Sequence, residues 1–278
     1  MHDTPEELSA IGRGLEHSDE FAVSALGDLL LRLANAWKRQ SDGQGTSSTA
    51  PGGTTSVSEG HRARLAEGNV FSQNGEDGVI ESILRAVGPS CKVLLEIGVG
   101  TGEESNTRKL VEHDGWTGRW VDVWDIVYVP KGVEYVKKFV DRDNVRETLL
   151  GLPPRLGLLS IDIDGNDLWI WKELGPVADV VAIEYNSHFP PPQSVTVKYE
   201  PSLKWKETDY FGASLSALWK LGRSMGYELV HCDSTGVNAF FVHGDRLLRP
   251  LSPEEAFRPF SRKRYPKDER RMEEYPAS

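Results

Sequence analysis

A glycine-rich turn after an apolar run constrains this sequence more than any other feature. Residues 94–97 read Leu-Leu-Glu-Ile, and Gly98, Gly100 and Gly102 follow at alternate positions. Because glycine lacks Cβ, the chain can turn sharply there and leave bare backbone for a ligand to approach. A strand that enters such a turn and then a helix is typical of doubly wound α/β folds. We therefore expect a mostly parallel sheet that binds a nucleoside cofactor at this turn.

The glycine spacing discriminates between cofactors. A dinucleotide fingerprint would place its third glycine at position 103, which is Glu103. A carboxylate near a helix N-terminus would repel a pyrophosphate, so the spacing favours a cofactor without phosphate, and Glu96 suits a cationic or amine-bearing one. The pattern resembles the first motif of class I S-adenosylmethionine (SAM) methyltransferases. That resemblance implies a cofactor site formed by Glu96, Gly98, Gly100 and Gly102.

The next β-favouring run supplies a candidate ribose ligand. Residues 118–125 are rich in strand formers, and Asp122 lies twenty residues beyond Gly102. Doubly wound folds place the acid that binds the ribose hydroxyls at about this distance. Asp122 is the first choice and Asp125 the second, with a solvated turn acid as the alternative. Trp124 either covers the adenine or packs in the core.

Two later apolar runs end in side chains that suit a metal ion. Asp162 and Asp164 follow the first run, and Glu184 and Asn186 follow the second. The carboxyl ends of parallel strands meet at one sheet edge, and oxygen ligands are what Mg²⁺ or Mn²⁺ prefers. The sequence therefore predicts a divalent cation site there, with polar strand ends that hold no metal as the alternative.

The region around Asp164 also resembles a known family. Residues 161–167 read Ile-Asp-Ile-Asp-Gly-Asn-Asp, which is similar to the Ile-Asp-Val-Glu-Gly signature of FkbM-type SAM-dependent methyltransferases. Three other segments resemble a bacterial branch of that group, namely residues 72–78, 105–108 and 238–242.

The resemblance covers about residues 70 to 245. It implies a Rossmann-like class I methyltransferase fold, with a seven-stranded, mostly parallel sheet and a terminal antiparallel hairpin. It also implies methyl transfer from SAM to a hydroxyl, or to an amine, of a small molecule, sugar or secondary metabolite. Asp164 stands where the family usually has Glu, and the acceptor is not implied.

A long segment after the second acidic strand end supplies a candidate base. Residues 187–211 include three consecutive prolines, and long loops at such edges are often lids or substrate walls. His188 is our candidate catalytic acid or base because imidazole titrates near neutrality. Asp164 or a metal-bound alkoxide would be the competing means of activation. An enzyme of this fold with metal-dependent transfer or hydrolysis, and a noncatalytic assembly protein, remain alternatives.

Composition limits the partners. A chain of 278 residues with 38% hydrophobic content can form one large α/β domain plus an appendage. No apolar run approaches the roughly 20 residues of a membrane span, and the first residues lack a secretory signal pattern. The formal charge of −10 opposes nucleic-acid binding. With only Cys91 and Cys232, we expect reduced thiols, a cytoplasmic location and a small-molecule substrate.

The domain organisation follows from shifts in composition. We predict an amphipathic helix within residues 1–40, a flexible linker at 41–69, a catalytic domain at 70–250 and a solvated tail at 251–278. The helix packs either on its own domain or on a second copy, giving a homo-oligomer. Its apolar stripe has helical spacing and consists of Val23, Leu26, Leu30, Leu33 and Trp37.

Overall fold

The computed structural model describes residues 67–68, 70–244, 248–261 and 264–276. The expected N-terminal helix and nearly all of the expected linker lie outside these residues. Assembly through that helix therefore stays a prediction.

A seven-stranded sheet organises the described part of the chain. Its strands are β1 Val93–Ile97, β2 Thr117–Asp122, β3 Val133–Lys137, β4 Leu156–Ile161, β5 Ala178–Glu184, β7 Tyr227–Cys232 and β8 Asn238–His243. Their spatial order is β3-β2-β1-β4-β5-β8-β7. The first five are parallel, whereas β8 runs antiparallel to both β5 and β7. The predicted class I methyltransferase fold, with its terminal antiparallel hairpin, is confirmed.

Helices cover both faces of the sheet. Successive residues of a strand point to opposite sides, so each face presents side chains that a helical layer can bury. The helices are α1 Glu76–Val87, α2 Arg108–Asp114, α3 Asp167–Leu174, α4 Leu215–Ser224 and the short α5 Pro253–Ala256, with a 3₁₀ turn at Val145–Leu149. Leu95 and Ile97 of β1 belong to the core cluster that includes α3 and α4. Leu94, which points to the opposite side of the sheet, belongs to the cluster that includes α1 and α2. The central strands β4 and β5 are buried along their whole length, as parallel strands between two helical layers must be.

The segment from residue 251 onward differs from the expected solvated tail. Its strand β9 Glu273–Glu274 pairs antiparallel with β6 Val195–Thr196. The Tyr185 hydroxyl donates to the Arg258 carbonyl at 2.8 Å, and the Phe257 ring packs edge-on against Tyr185. Aromatic residues dispersed among charges make this segment look polar in sequence although it packs on the domain. We call residues 257–261 and 264–276 the C-terminal strap.

Among the helices described, none combines the length and apolar character that crossing a membrane requires.

Candidate functional site

The three glycines of the turn after β1 have different roles. Gly98 has φ 91°, and a Cβ there would lie 1.6 Å from the Asp162 carbonyl oxygen. Gly102 has φ 83°, and its Cβ would lie 2.1 Å from the Tyr128 carbonyl oxygen. Backbone packing therefore requires both of these glycines. Gly100 has φ 56° and, within the described residues, nothing lies within 4 Å of its Cβ position. The open surface for a ligand is at Gly100.

Glu96 orders the loop that follows the turn. Its carboxylate accepts from the Ser105 hydroxyl at 2.7 Å, from the Asn106 amide at 2.9 Å and from the Thr107 amide at 3.2 Å, and it also accepts from the Thr107 hydroxyl. Burial raises the pKa of Glu96 to about 7, and these hydrogen bonds oppose the rise. We expected Glu96 to contact a cationic ligand. Its carboxylate is instead buried and hydrogen-bonded to residues of the following loop.

Asp122 lies at the end of β2 beside the open side of the turn. Its Oδ2 accepts from the Gly100 amide at 2.8 Å, and its Oδ1 accepts from the Val123 amide at 2.5 Å. Burial raises its pKa. Asp125, the second choice, has a side chain that is 92% exposed and pairs with Lys137. The structure thus places Asp122, and not Asp125, against the open glycine.

Trp124 lies on the surface near Asp122. It is 40% exposed, so the alternative in which it is a core tryptophan is wrong. Its indole ring thus lies partly at the surface, beside the end of β2.

The acidic cluster consists of Asp162, Asp164 and Glu184, which follow or end β4 and β5. Each offers an oxygen, and these oxygens all lie within 4.8 Å of one another. Burial and mutual repulsion raise the pKa of Asp162 and of Glu184 well above their ordinary values. The Oε2 atom of Glu184 is buried without a hydrogen-bond partner among the described residues.

Asp167 positions the loop that carries Asp164. Its Oδ1 accepts from the Ile163 amide at 2.9 Å and its Oδ2 from the Gly165 amide at 3.0 Å. These are the two amides next to Asp164, which has φ 54°, a left-handed conformation that is strained for a non-glycine residue. Asp167 is not among the predicted site residues. The sequence signal that could have revealed it is its position: Asp167 is the last acid of the run 162–167, and it begins α3.

The side chain of Asn186, a predicted metal ligand, makes hydrogen bonds in the loop after β5. Its Nδ2 donates to the carbonyls of Asp209 and Phe211, each at 2.9 Å, while its Oδ1 accepts from the His188 amide at 3.1 Å. The amide therefore holds the loop after β5. Its oxygen faces His188, and its predicted role as a metal ligand stays a prediction.

His188 is a structural residue in this fold. Its Nδ1 pairs with Asn186 Oδ1 at 3.1 Å, and its Nε2 accepts from the Tyr265 amide at 3.1 Å. Its ring also stacks on the Tyr265 ring. Burial, with a further contribution from Arg264, lowers its pKa. Because both ring nitrogens are engaged, the structure does not support the predicted general base. Tyr265 lies 77 positions later in the chain, so sequence could not reveal the contact.

The glycine turn and the acidic cluster are contiguous. The Asp162 amide donates to the Ile97 carbonyl at 2.9 Å, and the Asp162 carbonyl lies against Gly98. Two adjacent strand ends, β1 and β4, therefore bring the open surface at Gly100 next to the three carboxylates.

No protein-family model and no curated protein matches this chain. Solved structures that resemble it include the N-terminal domain of EvdMO1 in the presence of SAH and D-fucose, at 12% identity and TM-score 0.39, covering 77% of this chain and 97% of that one. CalS11, a TDP-rhamnose 3'-O-methyltransferase of calicheamicin biosynthesis, is 15% identical with TM-score 0.37, covering 88% and 97%. An O-methyltransferase family protein from Burkholderia thailandensis is 9% identical with TM-score 0.37, covering 84% and 74%.

Proposed function

We propose that this chain is a SAM-dependent methyltransferase that acts on a hydroxyl of a small molecule, such as a sugar or a secondary metabolite, with the help of a divalent cation. The observation that carries the proposal is the contact between the glycine turn and the acidic cluster, made through Ile97, Gly98 and Asp162. A cofactor site and a site that activates a hydroxyl must adjoin for direct transfer, and here they do.

The cofactor site is formed by Gly100, Asp122 and Trp124. Gly100 offers open backbone, and its amide fixes Asp122, whose carboxylate retains acceptor capacity for ribose hydroxyls. The exposed Trp124 ring supplies a surface for adenine. Glu103 disfavours a pyrophosphate at the same turn, so these residues fit SAM better than a dinucleotide. When bound, SAM supplies an electrophilic methyl group, and these side chains set its position.

The cation site is formed by Asp162, Asp164 and Glu184. Oxygens within 4.8 Å of one another fit around one ion at ligand distances of about 2.0–2.6 Å. The unpartnered Glu184 Oε2 is a buried acceptor that a cation would satisfy. When bound, a divalent ion lowers the pKa of a coordinated hydroxyl. Asp167 holds the backbone on both sides of Asp164.

The test compares Asp122→Ala with the matched control Asp125→Ala. We expect calorimetry to show that Asp122→Ala weakens binding of S-adenosylhomocysteine by about 1–3 kcal/mol, the scale of a lost buried hydrogen-bonding group. Asp125→Ala should bind S-adenosylhomocysteine as tightly as the parent does, because the Asp125 side chain is exposed and pairs with Lys137. In parallel, SAM with a tritiated methyl group should label a hydroxyl compound in a metabolite panel.

Equal binding by the Asp122→Ala variant and the parent would remove Asp122 from the cofactor site. Absence of binding by the parent would contradict the proposed function itself. Metal-dependent turnover without SAM would instead favour transfer or hydrolysis by the same fold.

A further inference from the structure

We infer that Asn238 supplies the neutral oxygen ligand at the acidic cluster, in the place that the sequence assigned to Asn186. The inference rests on the cation site of the proposed function. It concerns a residue at the start of β8, 54 positions beyond Glu184 in the chain, which no motif or strand-end pattern connects to the cluster.

The side-chain oxygen of Asn238 is an unsatisfied buried acceptor. Asn238 is 1% exposed, and within the described residues its Oδ1 has no hydrogen-bond partner. Its Nδ2 donates to Glu76 Oε1 at 3.0 Å. Buried amide oxygens are nearly always paired in folded proteins. The unpaired Oδ1 therefore indicates a missing partner that can accept a lone pair from this oxygen.

Glu76 fixes which end of the Asn238 amide faces it. The Asn74 backbone amide donates to Glu76 Oε2 at 2.7 Å, and the Asn74 side chain donates to Oε1 at 2.8 Å. Both oxygens of Glu76 thus act as acceptors, and Oε1 also receives the Nδ2 group of Asn238. The Oδ1 atom of Asn238 consequently lies on the side of the amide that faces away from Glu76.

The sheet register places Asn238 beside the cluster. Asn238 is the antiparallel register partner of Glu184, and directly opposed residues project from the same face of a sheet. Two neighbouring residues thus each carry a buried acceptor that lacks a partner in the described chain, Glu184 Oε2 and Asn238 Oδ1. One hard cation at the cluster would satisfy both acceptors.

Asn166 provides a matched control. It is also buried, and its Oδ1 also lacks a partner among the described residues. Its Nδ2, however, donates to the Glu200 carbonyl at 2.8 Å, and it precedes α3 without any register relation to Glu184. Replacing each asparagine with leucine keeps the side-chain shape and removes the oxygen.

The experiment measures Mn²⁺ affinity by the spin-resonance signal of free Mn²⁺, and bound water by Tb³⁺ luminescence lifetimes in H₂O and D₂O. We expect Asn238→Leu to weaken Mn²⁺ binding at least tenfold and to add one water to bound Tb³⁺, since water replaces a lost protein ligand. Asn238→Asp, which keeps an oxygen, should bind Mn²⁺ at least as tightly as the parent. Asn166→Leu should match the parent in both measurements.

Melting curves establish that each variant is folded. Should Asn238→Leu fail to fold, Glu76→Gln gives a second route, because its amide can donate to Asn238 Oδ1 and compete with the ion. That variant should weaken Mn²⁺ binding by roughly 10–100-fold, as for the loss of a residue that orients a ligand.

The outcomes separate this inference from the proposed function. Parent-like affinity and hydration in Asn238→Leu, together with loss of binding in Glu184→Gln, would overturn the role of Asn238 and leave the cation site intact. If only Asn166→Leu lost Mn²⁺ binding, Asn166 rather than Asn238 would be the neutral oxygen ligand. Absence of Mn²⁺ and Tb³⁺ binding by the parent would contradict the proposed cation site.

Discussion

Glu96 couples the order of the loop that contains Ser105 to Thr107 to pH. The carboxylate is 1% exposed and receives hydrogen bonds from consecutive residues of the loop, Ser105 to Thr107. Because burial raises its pKa from 4.5 to about 7, the folded chain binds this proton more tightly than the unfolded chain does. The stability of the fold should therefore depend on the ionisation of this single side chain.

We predict that Glu96 lowers the stability of the parent as pH rises from about 4.5 to about 7. In that range the folded state holds more protons than the unfolded state, so the free energy of unfolding falls with pH. The pKa shift sets the scale of this loss at about 3 kcal/mol. Glu96→Gln cannot titrate and should lack this part of the pH dependence in urea denaturation series at pH 4 and pH 8. Parallel pH profiles for parent and variant would contradict the assignment.

The glycines show what residue spacing can and cannot reveal. Spacing correctly predicted a tight turn after β1, because Gly98, Gly100 and Gly102 all have positive φ. It could not distinguish Gly100, which is open, from Gly98, which the Asp162 carbonyl approaches. That approach comes from a strand more than sixty positions later, so only the assembled sheet determines it.

At the scale of elements, the sheet edge was predictable because parallel strands end together. The apolar runs before Asp162 and Glu184 are β4 and β5, and their acids meet as expected. Asn186 and His188 were not predictable in the same way. Their side chains are held by residues 209–211 and by the C-terminal strap, and such contacts leave no local pattern.

We predict that His188 stabilises the loop after β5 by its contact with the strap. The His188 and Tyr265 rings stack with centroids 5.6 Å apart at 28°. His188→Ala and Tyr265→Ala should each destabilise the fold, and a double-mutant cycle in urea should give a coupling of about 0.5–1.5 kcal/mol. As a control, His113→Ala should combine additively with Tyr265→Ala, since His113 stacks on Phe71. Additive His188 and Tyr265 effects would refute the link.

At the scale of the whole molecule, the acidic cluster opposes folding when no cation neutralises it. The chain has a formal charge of −10, and three of its carboxylates converge at one site. Burial and repulsion raise the pKa of Glu184, which means that its charged form is disfavoured in the fold. Stability should therefore respond to divalent ions and to removal of this charge.

We predict opposite effects of Glu184→Gln with and without metal. In EDTA, calorimetry should give a higher melting temperature for Glu184→Gln than for the parent, because glutamine avoids the cost of burying a carboxyl whose charged form is disfavoured. With Mn²⁺ at a hundredfold excess over its dissociation constant, the parent should gain about 2.7 kcal/mol and the variant much less. The control Glu147→Gln, at an exposed carboxylate paired with Lys138, should follow the parent in both conditions. A variant that gains as much as the parent would place the ion elsewhere.

The position of the strap in the chain determines when the loop after β5 can be secured during synthesis. Domains form progressively as a chain emerges, and the last strand of the sheet ends at His243, before any strap residue exists. A growing chain can therefore assemble its sheet, its glycine turn and its acidic cluster while His188 still lacks Tyr265. A stop codon shortly after β8 would yield a chain with its main sheet but with an unsecured loop after β5. The loop after β5 is thus secured only after the strap has emerged.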